Sequence, residues 1–71
     1  MSKAVRVLSM YERMRQGKGI VKAEEADRFG VDIRTIQRDL DDIRAYLSEE
    51  RIFDRELIFD RRNLVYVMRD K

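Results

Sequence analysis

Residues 30–40 read GVDIRTIQRDL, and this stretch predicts a tight turn, a helix cap and a helix with two opposed faces. Gly30 can take the positive φ that such a turn needs. Asp32 is a good N-cap, because its carboxylate can accept hydrogen bonds from the free N–H groups of the first helical turn. Val31 and Ile36 stand at the N′ and N4 positions of a hydrophobic staple, which fixes how the chain enters the helix.

The predicted helix spans residues 33–49 and has one apolar side and one polar side. Arg34 and Arg38 lie four residues apart on the polar side, and Thr35 and Gln37 border it. Since the second half of the helix is acidic, contact with phosphate is expected only from its first two turns. A helix start of this kind is suited to the major groove of DNA. The apolar stripe at helical spacing consists of Ile33, Ile36, Leu40, Ile43 and Leu47.

A second, shorter helix is predicted over residues 22–29, directly before the turn. Ala26 lies four residues before Gly30, which is the signature spacing of a helix-turn-helix. The small side chain lets the next helix cross closely. Its inner face is expected to consist of Ala23, Ala26 and Phe29.

The first helix is predicted over residues 3–16, with Ser2 as its cap and Gly17 ending it in a left-handed conformation. Arg6 and Arg13 are expected to point away from the core. Ile20 and Val21 are β-branched and predict a minor strand before the second helix. The expected inner face of the first helix consists of Ala4, Val7, Leu8, Tyr11 and Met14.

The end of the chain changes to the two-residue period of strands. Residues 56–60 and 64–68 are β-prone and are separated by Arg61, Arg62 and Asn63, which predicts a hairpin with a basic tip. Asn63 suits a left-handed turn position. Three helices followed by this wing, at about residues 56–68, predict a mainly α winged helix-turn-helix, as one domain over residues 1–71.

Composition excludes several classes of protein. The chain of 71 residues is 44% hydrophobic and 42% charged, which is too apolar for disorder and too charged for a membrane protein. It contains neither Cys nor His, so a structural zinc site and an imidazole base are excluded. We expect no enzyme, no cofactor, no metal and no small-molecule ligand. Without a visible secretory signal, the expected location is the cytoplasm.

The net charge of +2 is modest, but it is unevenly distributed. The charge is +5 over residues 1–22, −3 over residues 23–32, −2 over residues 33–50 and +2 over residues 51–71. Such segregation suits a protein that turns one side towards phosphate and the other towards water.

Residues 29–40, with their Phe-Gly-Val turn, capping residue and Thr-Ile-Gln-Arg-Asp-Leu run, resemble the N-terminal winged helix of bacterial DeoR-like and WYL-domain transcriptional regulators. An arginine-bearing first helix and a closing hairpin with Tyr66 near its end extend the resemblance over nearly the whole chain. The resemblance implies sequence-specific binding of double-stranded DNA. It places Arg34, Thr35, Gln37 and Arg38 on the reading helix.

The chain departs from that family at three points. Glu25 stands where the family usually has Leu, and Val21 stands where a Ser or Thr cap is expected. The effector-sensing domain that normally follows is missing from the 71 residues. The sequence is therefore expected to be either an excised DNA-binding domain or a small stand-alone regulator.

Each candidate DNA contact has a simpler alternative. Arg34 and Arg38 could each form a bidentate contact with guanine, worth about 1–3 kcal/mol, or Arg38 could pair with Asp41 or Asp42. Thr35 could contact phosphate or a thymine methyl group, and Gln37 could read adenine. Both could instead serve local helix capping.

A phosphate contact is expected from Lys22 at the start of the second helix. Arg61 and Arg62 at the wing tip are expected to reach a phosphate or the minor groove. The alternative for each is an ordinary solvated cation. A magnesium site formed by Asp39, Asp41 and Asp42 is disfavoured because helical spacing spreads them around the axis.

The first wing strand carries Leu57, Ile58 and Phe59, which puts apolar groups on both of its faces. A homodimer through this strand, or docking of a further domain, would cover them. Sedimentation showing a strict monomer at high concentration would count against the dimer. The alternative function for the whole chain is a winged helix that holds another protein, as an antirepressor or assembly factor, and does not bind DNA.

Overall fold

The structure, a computed structural model, describes residues 2–49 and 54–70. Within these ranges three helices precede one antiparallel hairpin, which is the predicted winged-helix arrangement. Most predicted bounds are confirmed to within one or two residues. The elements are α1 (Lys3–Arg15), α2 (Lys22–Phe29), α3 (Ile33–Glu49), β1 (Arg55–Asp60) and β2 (Val65–Asp70). In the described part of the chain, no helix has the length and apolar character needed to cross a membrane.

Helix α1 begins and ends as predicted, and Val7, Tyr11 and Met14 of its predicted inner face do contact the core. The rest of that face differs from the prediction. The Ser2 hydroxyl accepts a hydrogen bond from the Val5 N–H at 3.3 Å, and Gly17 is left-handed with φ 87°. Ala4 and Leu8 are exposed, contrary to the prediction. The helix is rotated so that its methionine side faces inward and its Leu8 side faces solvent. Its buried residues are Arg6, Met10 and Met14.

Helix α2 is short and rich in Ala and Glu, and it packs on the core through a narrow face. Ala26 is buried and Phe29 half-buried, but Ala23 is exposed and the carboxylate-bearing Glu25 is buried in its place. Val21 makes no side-chain capping hydrogen bond, as expected from the missing Ser or Thr. The turn then follows through Gly30 at φ 65°, with its N–H bonded to the Ala26 and Asp27 carbonyls.

Replacing Gly30 with Ala should lower the free energy of unfolding by about 1 kcal/mol. A Cβ at this position would meet no atom within 4 Å, so the cost comes from the left-handed backbone alone. Gly30→Asn should cost less, because Asn tolerates this conformation better than Ala. Urea unfolding of the three proteins measures the difference. Equal stability of the Ala variant and the wild type would contradict the assigned turn.

Helix α3 is the centre of the core, with Ile36, Leu40, Ile43 and Leu47 buried along one side. Ile33, predicted in the same stripe, is instead 46% exposed, because the first residue of the helix lies beyond the reach of the core. The Asp32 carbonyl accepts hydrogen bonds from the N–H groups of Thr35 and Ile36. In the described ranges no hydrogen bond reaches the Asp32 carboxylate, so the predicted side-chain cap is not formed.

The wing covers the open side of the helices. Its strands pair with Leu57 opposite Met68 and Phe59 opposite Tyr66, and Leu57 is buried in the core. Ile20 forms a single antiparallel bridge to Tyr66 through two 2.8 Å hydrogen bonds, so the predicted minor strand is one residue long. A Cβ on Gly19 would lie 3.1 Å from Val65 Cβ, which explains the absence of a side chain there.

The wing turn differs from its prediction in one residue. The left-handed position is occupied by Leu64, with φ 57°, and not by Asn63. Asn63 serves the turn through its side chain instead, because its Nδ2 donates to Asp60 Oδ2 at 2.8 Å. Asp60 Oδ1 also accepts from the N–H groups of Arg62 at 3.0 Å and Asn63 at 3.3 Å.

These hydrogen bonds from the Asn63 side chain, the Asn63 N–H and the Arg62 N–H lower the pKa of Asp60. The charged carboxylate therefore stabilises the turn above its unfolded pKa of about 3.9, and this contribution is lost as the pH falls through the lowered value. An NMR titration should find the Asp60 midpoint below the ordinary value, and Asn63→Ala should move it back up. A wild-type midpoint at or above the ordinary value would contradict the hydrogen-bonded turn.

Candidate nucleic-acid interface

The first two turns of α3 present two arginines to solvent, as the sequence predicted. Arg34 and Arg38 are both exposed. Across residues 2–49 and 54–70, no ion pair or hydrogen bond engages either guanidinium. Four residues of helix rise by about 6 Å, so the two cations lie one above the other along the helix. They form a cationic surface with no neutralising partner among the described residues.

The acids that could have neutralised Arg38 are held elsewhere. Asp42 pairs with Lys3 at 2.8 Å, and Asp41 accepts a hydrogen bond from Gln37 Nε2 at 3.0 Å. The alternative in which Arg38 pairs with Asp41 or Asp42 is therefore not observed in the structure. Its guanidinium remains available for a partner outside the chain.

Lys22 and Gln37 are brought together, although they lie on different helices. Lys22 Nζ donates to Gln37 Oε1 at 2.9 Å and lies 5.7 Å from the centre of the Tyr66 ring. The Tyr66 hydroxyl donates to the same Gln37 oxygen at 3.3 Å. The amide that was predicted to read adenine is therefore engaged within the protein. Thr35 is half-buried and donates its N–H to the Asp32 carbonyl.

The wing tip forms a separate cationic surface. Arg61 and Arg62 are exposed in the turn between β1 and β2, and no described acidic residue pairs with either side chain. The Asp60–Asn63 hydrogen bonds shape the turn that carries them. The predicted contacts thus fall into the α3 pair, the Lys22–Gln37 cluster and the wing tip.

A buried ion pair that was not foreseen fixes α3 against α1. Arg6 is 7% exposed and Asp39 1% exposed. Arg6 Nε donates to Asp39 Oδ2, and Arg6 Nη2 donates to Asp39 Oδ1 at 3.1 Å. The hydrogen bond to Asp39 raises the pKa of Arg6 from a value that is already high, so the guanidinium stays charged. Arg6 therefore does not point away from the core, contrary to the prediction, and it is not a surface cation available to phosphate.

A second pair fixes α2 against α1 and explains the unusual Glu25. Arg13 Nη1 and Nη2 donate to the two carboxylate oxygens of Glu25 at 2.8 and 2.6 Å. Glu25 is only 3% exposed. These hydrogen bonds raise the pKa of Arg13. An acid replaces the expected apolar residue because an arginine reaches it from the neighbouring helix.

The sequence did contain a signal for both pairs. Arg6 and Arg13 share a helical side with Met10, at spacings of four and three residues, and that side faces the core. Arginines at inward positions imply carboxylates opposite them, since buried charges are paired.

The acidic side chains of α3 are engaged by different partners. Asp39 is engaged by Arg6, and Asp42 by Lys3. Within the ranges that the structure describes, no group of three or more metal-ligating side chains comes together.

Part of the apolar surface of β1 is covered within the protein. Leu57 is buried, and Phe59 is 41% exposed but packs on the Tyr66 ring with centroids 4.9 Å apart. Ile58 is half-buried opposite Val67 on the other face. The homodimer through this strand stays a prediction.

Comparison with known proteins leaves the family open. No family model, curated protein or solved structure matches the chain significantly.

Proposed function

We propose that this chain is a sequence-specific DNA-binding domain of a transcriptional regulator. The start of α3 enters the major groove, and the wing tip contacts the backbone or the minor groove of double-stranded DNA. The same proposal extends to its class, a cytoplasmic bacterial regulator of the DeoR-like or WYL-associated type, acting by occupying DNA and not as an enzyme.

One observation carries the proposal. Arg34 and Arg38 stand exposed on one side of a helix that follows a Gly30 turn, and no described acid neutralises them. A charged pair that served only stability would be expected to use Asp41 or Asp42, which lie within a turn of Arg38. Both carboxylates are occupied by other partners instead.

The chemistry of guanidinium suits base recognition. Its planar fork matches the O6 and N7 acceptors of guanine in the major groove, and each such contact discriminates against a wrong base by about 1–3 kcal/mol. Arg34 and Arg38 are the residues for this role. Exposed Ile33 and half-buried Thr35 lie beside them and suit contact with a thymine methyl group.

Phosphate contacts supply affinity and orientation. Lys22 in the first turn of α2 contacts Gln37 of α3, and Arg61 and Arg62 lie at the wing tip. Phosphate contacts position a protein on the duplex without reading its sequence. The acidic second half of α3 is repelled by the phosphate backbone of DNA, which favours the orientation in which only the start of α3 approaches the duplex.

The proposal is tested by selecting duplex oligonucleotides from a random pool and measuring anisotropy of the enriched sequence against salt. An enriched motif is expected, and the logarithm of affinity should fall with the logarithm of salt by about 0.9 per phosphate neutralised. A pool that stays random after repeated selection at low salt would contradict it.

A specific surface favours the alternative of a protein-binding winged helix. An apolar groove runs between α1 and α3, and Leu8 at its rim is 61% exposed. Tyr11 and Tyr46 pack edge to face within it, with centroids 6.0 Å apart. Binding that is insensitive to salt and to loss of the α3 arginines would support this role. The groove is lined by Val7, Leu8, Tyr11, Asp42, Ile43 and Tyr46.

A further inference from the structure

Gln37 lies where three elements meet, and its amide contacts each of them. Its Oε1 accepts from Lys22 of α2 at 2.9 Å and from the Tyr66 hydroxyl of β2 at 3.3 Å. Its Nε2 donates to Asp41 on α3 itself at 3.0 Å. The side chain is half-buried. Gln37 is therefore a junction between the recognition helix, the start of α2 and the wing.

The chemistry of the partners fixes which way the amide points. An ammonium group can only donate a hydrogen bond, and an ionised carboxylate can only accept one. If the amide were flipped, Nε2 would face the Lys22 donor and Oε1 would face the Asp41 acceptor. Both contacts would become repulsive, so only the observed orientation satisfies the cluster.

The same contacts limit what Gln37 can do with a base. An amide oxygen accepts two hydrogen bonds and an amide nitrogen donates two. Lys22 and Tyr66 occupy both acceptor sites of Oε1, and Asp41 occupies one donor of Nε2. Bidentate reading of adenine requires a free oxygen and a free N–H of the same amide. Gln37 has no free acceptor to offer.

We propose that Gln37 is a positioning residue and not a base-reading one. It holds the Lys22 ammonium beside the start of α3 and fixes the wing against α3 through Tyr66. The proposal deepens the DNA-binding function and rests on it, and it assigns sequence discrimination to Arg34 and Arg38. The earlier expectation that Gln37 reads adenine is replaced.

The position of Lys22 shows why this matters for DNA. Its ammonium has three donors, of which one is engaged by Gln37, and its charge lies near the face of the Tyr66 ring. Among residues 2–49 and 54–70 nothing engages the remaining donors, which can therefore meet a phosphate oxygen. Holding this long side chain in place before binding reduces the entropy lost when the phosphate contact forms.

The test on DNA uses Gln37→Met, which keeps the length of the side chain but removes its hydrogen bonds. Affinity for the selected duplex and for each single-base variant of it should fall by the same factor, about tenfold, leaving the preferred motif unchanged. In a Lys22→Met background, Gln37→Met should weaken binding by clearly less than in the wild type, because the contact with Lys22 is already lost and only the contact with Tyr66 remains to be removed. Discrimination lost at one base pair, or additive losses, would overturn the proposal.

A readout without DNA separates this proposal from the DNA-binding function. In Gln37→Met and in Tyr66→Phe, the amide protons of Ile20 and Tyr66 should exchange faster with solvent, because Gln37 no longer holds the side chain of Tyr66, whose backbone forms the bridge to Ile20. Amides paired between β1 and β2 should be unaffected and serve as the internal control. Unchanged exchange in both variants would overturn the positioning role. If the wild-type protein binds no duplex, the DNA-binding function is overturned. The exchange experiment still decides whether Gln37 positions the wing.

Discussion

Asp39→Ala is expected to lower the free energy of unfolding by about 3–5 kcal/mol. The carboxylate is 1% exposed and accepts two hydrogen bonds from Arg6. Its loss leaves a guanidinium that is enclosed between α1 and α3 without a counterion. Since domains of this size are stable by only about 5–10 kcal/mol, the variant should lose a large share of its stability. Urea unfolding followed by circular dichroism measures the loss.

Asp42→Ala is the matched control. Asp42 is on the same helix and also pairs with a cation of α1, Lys3, but that pair is exposed on both sides, at 62% and 54%. Its removal should cost less than about 1 kcal/mol. Equal costs for the two variants would contradict the burial of the Arg6–Asp39 pair. The double variant Arg6→Leu, Asp39→Leu should recover most of the lost stability, because no unpaired charge remains.

Replacing Arg34 and Arg38 together with Ala should reduce affinity for the selected duplex by at least about thirtyfold, since each bidentate contact is worth about 1–3 kcal/mol. Both side chains are exposed, and no described residue pairs with them, so the fold should be unaffected. The salt dependence of the remaining binding should retain the contribution of the wing and of Lys22. Fluorescence anisotropy at one fixed salt concentration makes the comparison.

Arg44→Ala is the matched control for that experiment. Arg44 is an exposed arginine of the same helix, but it lies in the acidic half and is 3.7 Å from Asp41. Its removal changes the net charge as each single substitution does, yet it should change affinity only two- to threefold, about 0.5 kcal/mol of long-range attraction. Losses as large as those of Arg34 or Arg38 would mean that general charge, and not the start of α3, drives binding.

The sequence predicted the arrangement of elements well because local signals agreed with one another. The Ala26 to Gly30 spacing, the period of the α3 stripe and the strand-like runs of the wing each pointed to the observed element. The exposure of Arg34 and Arg38 followed from the same period. These features depend on neighbours in the chain, so the chain order was sufficient to place them.

Two errors are local, namely the Asp32 cap and the left-handed position assigned to Asn63. The others concern contacts between distant parts of the chain. Helix α1 has two apolar sides. Contacts with other helices determine which side faces the core, since Arg6 pairs with Asp39 and Arg13 pairs with Glu25. Charged residues are usually exposed, so composition gave no reason to expect these buried pairs, and only the helical spacing of the arginines from Met10 indicated them. The engagement of Gln37 likewise depends on Lys22 and Tyr66, 15 and 29 residues away.

The central claim is that the basic start of α3 contacts DNA, and residue-resolved NMR tests it most directly. Labelled protein is titrated with the selected duplex at low ionic strength, and amide shifts are followed along the chain. The largest changes are predicted at residues 32–38, with smaller ones at the wing tip, residues 61–64, and none along the groove at Val7, Leu8 and Tyr46. Changes confined to that groove, or no change at residues 32–38, would contradict the account.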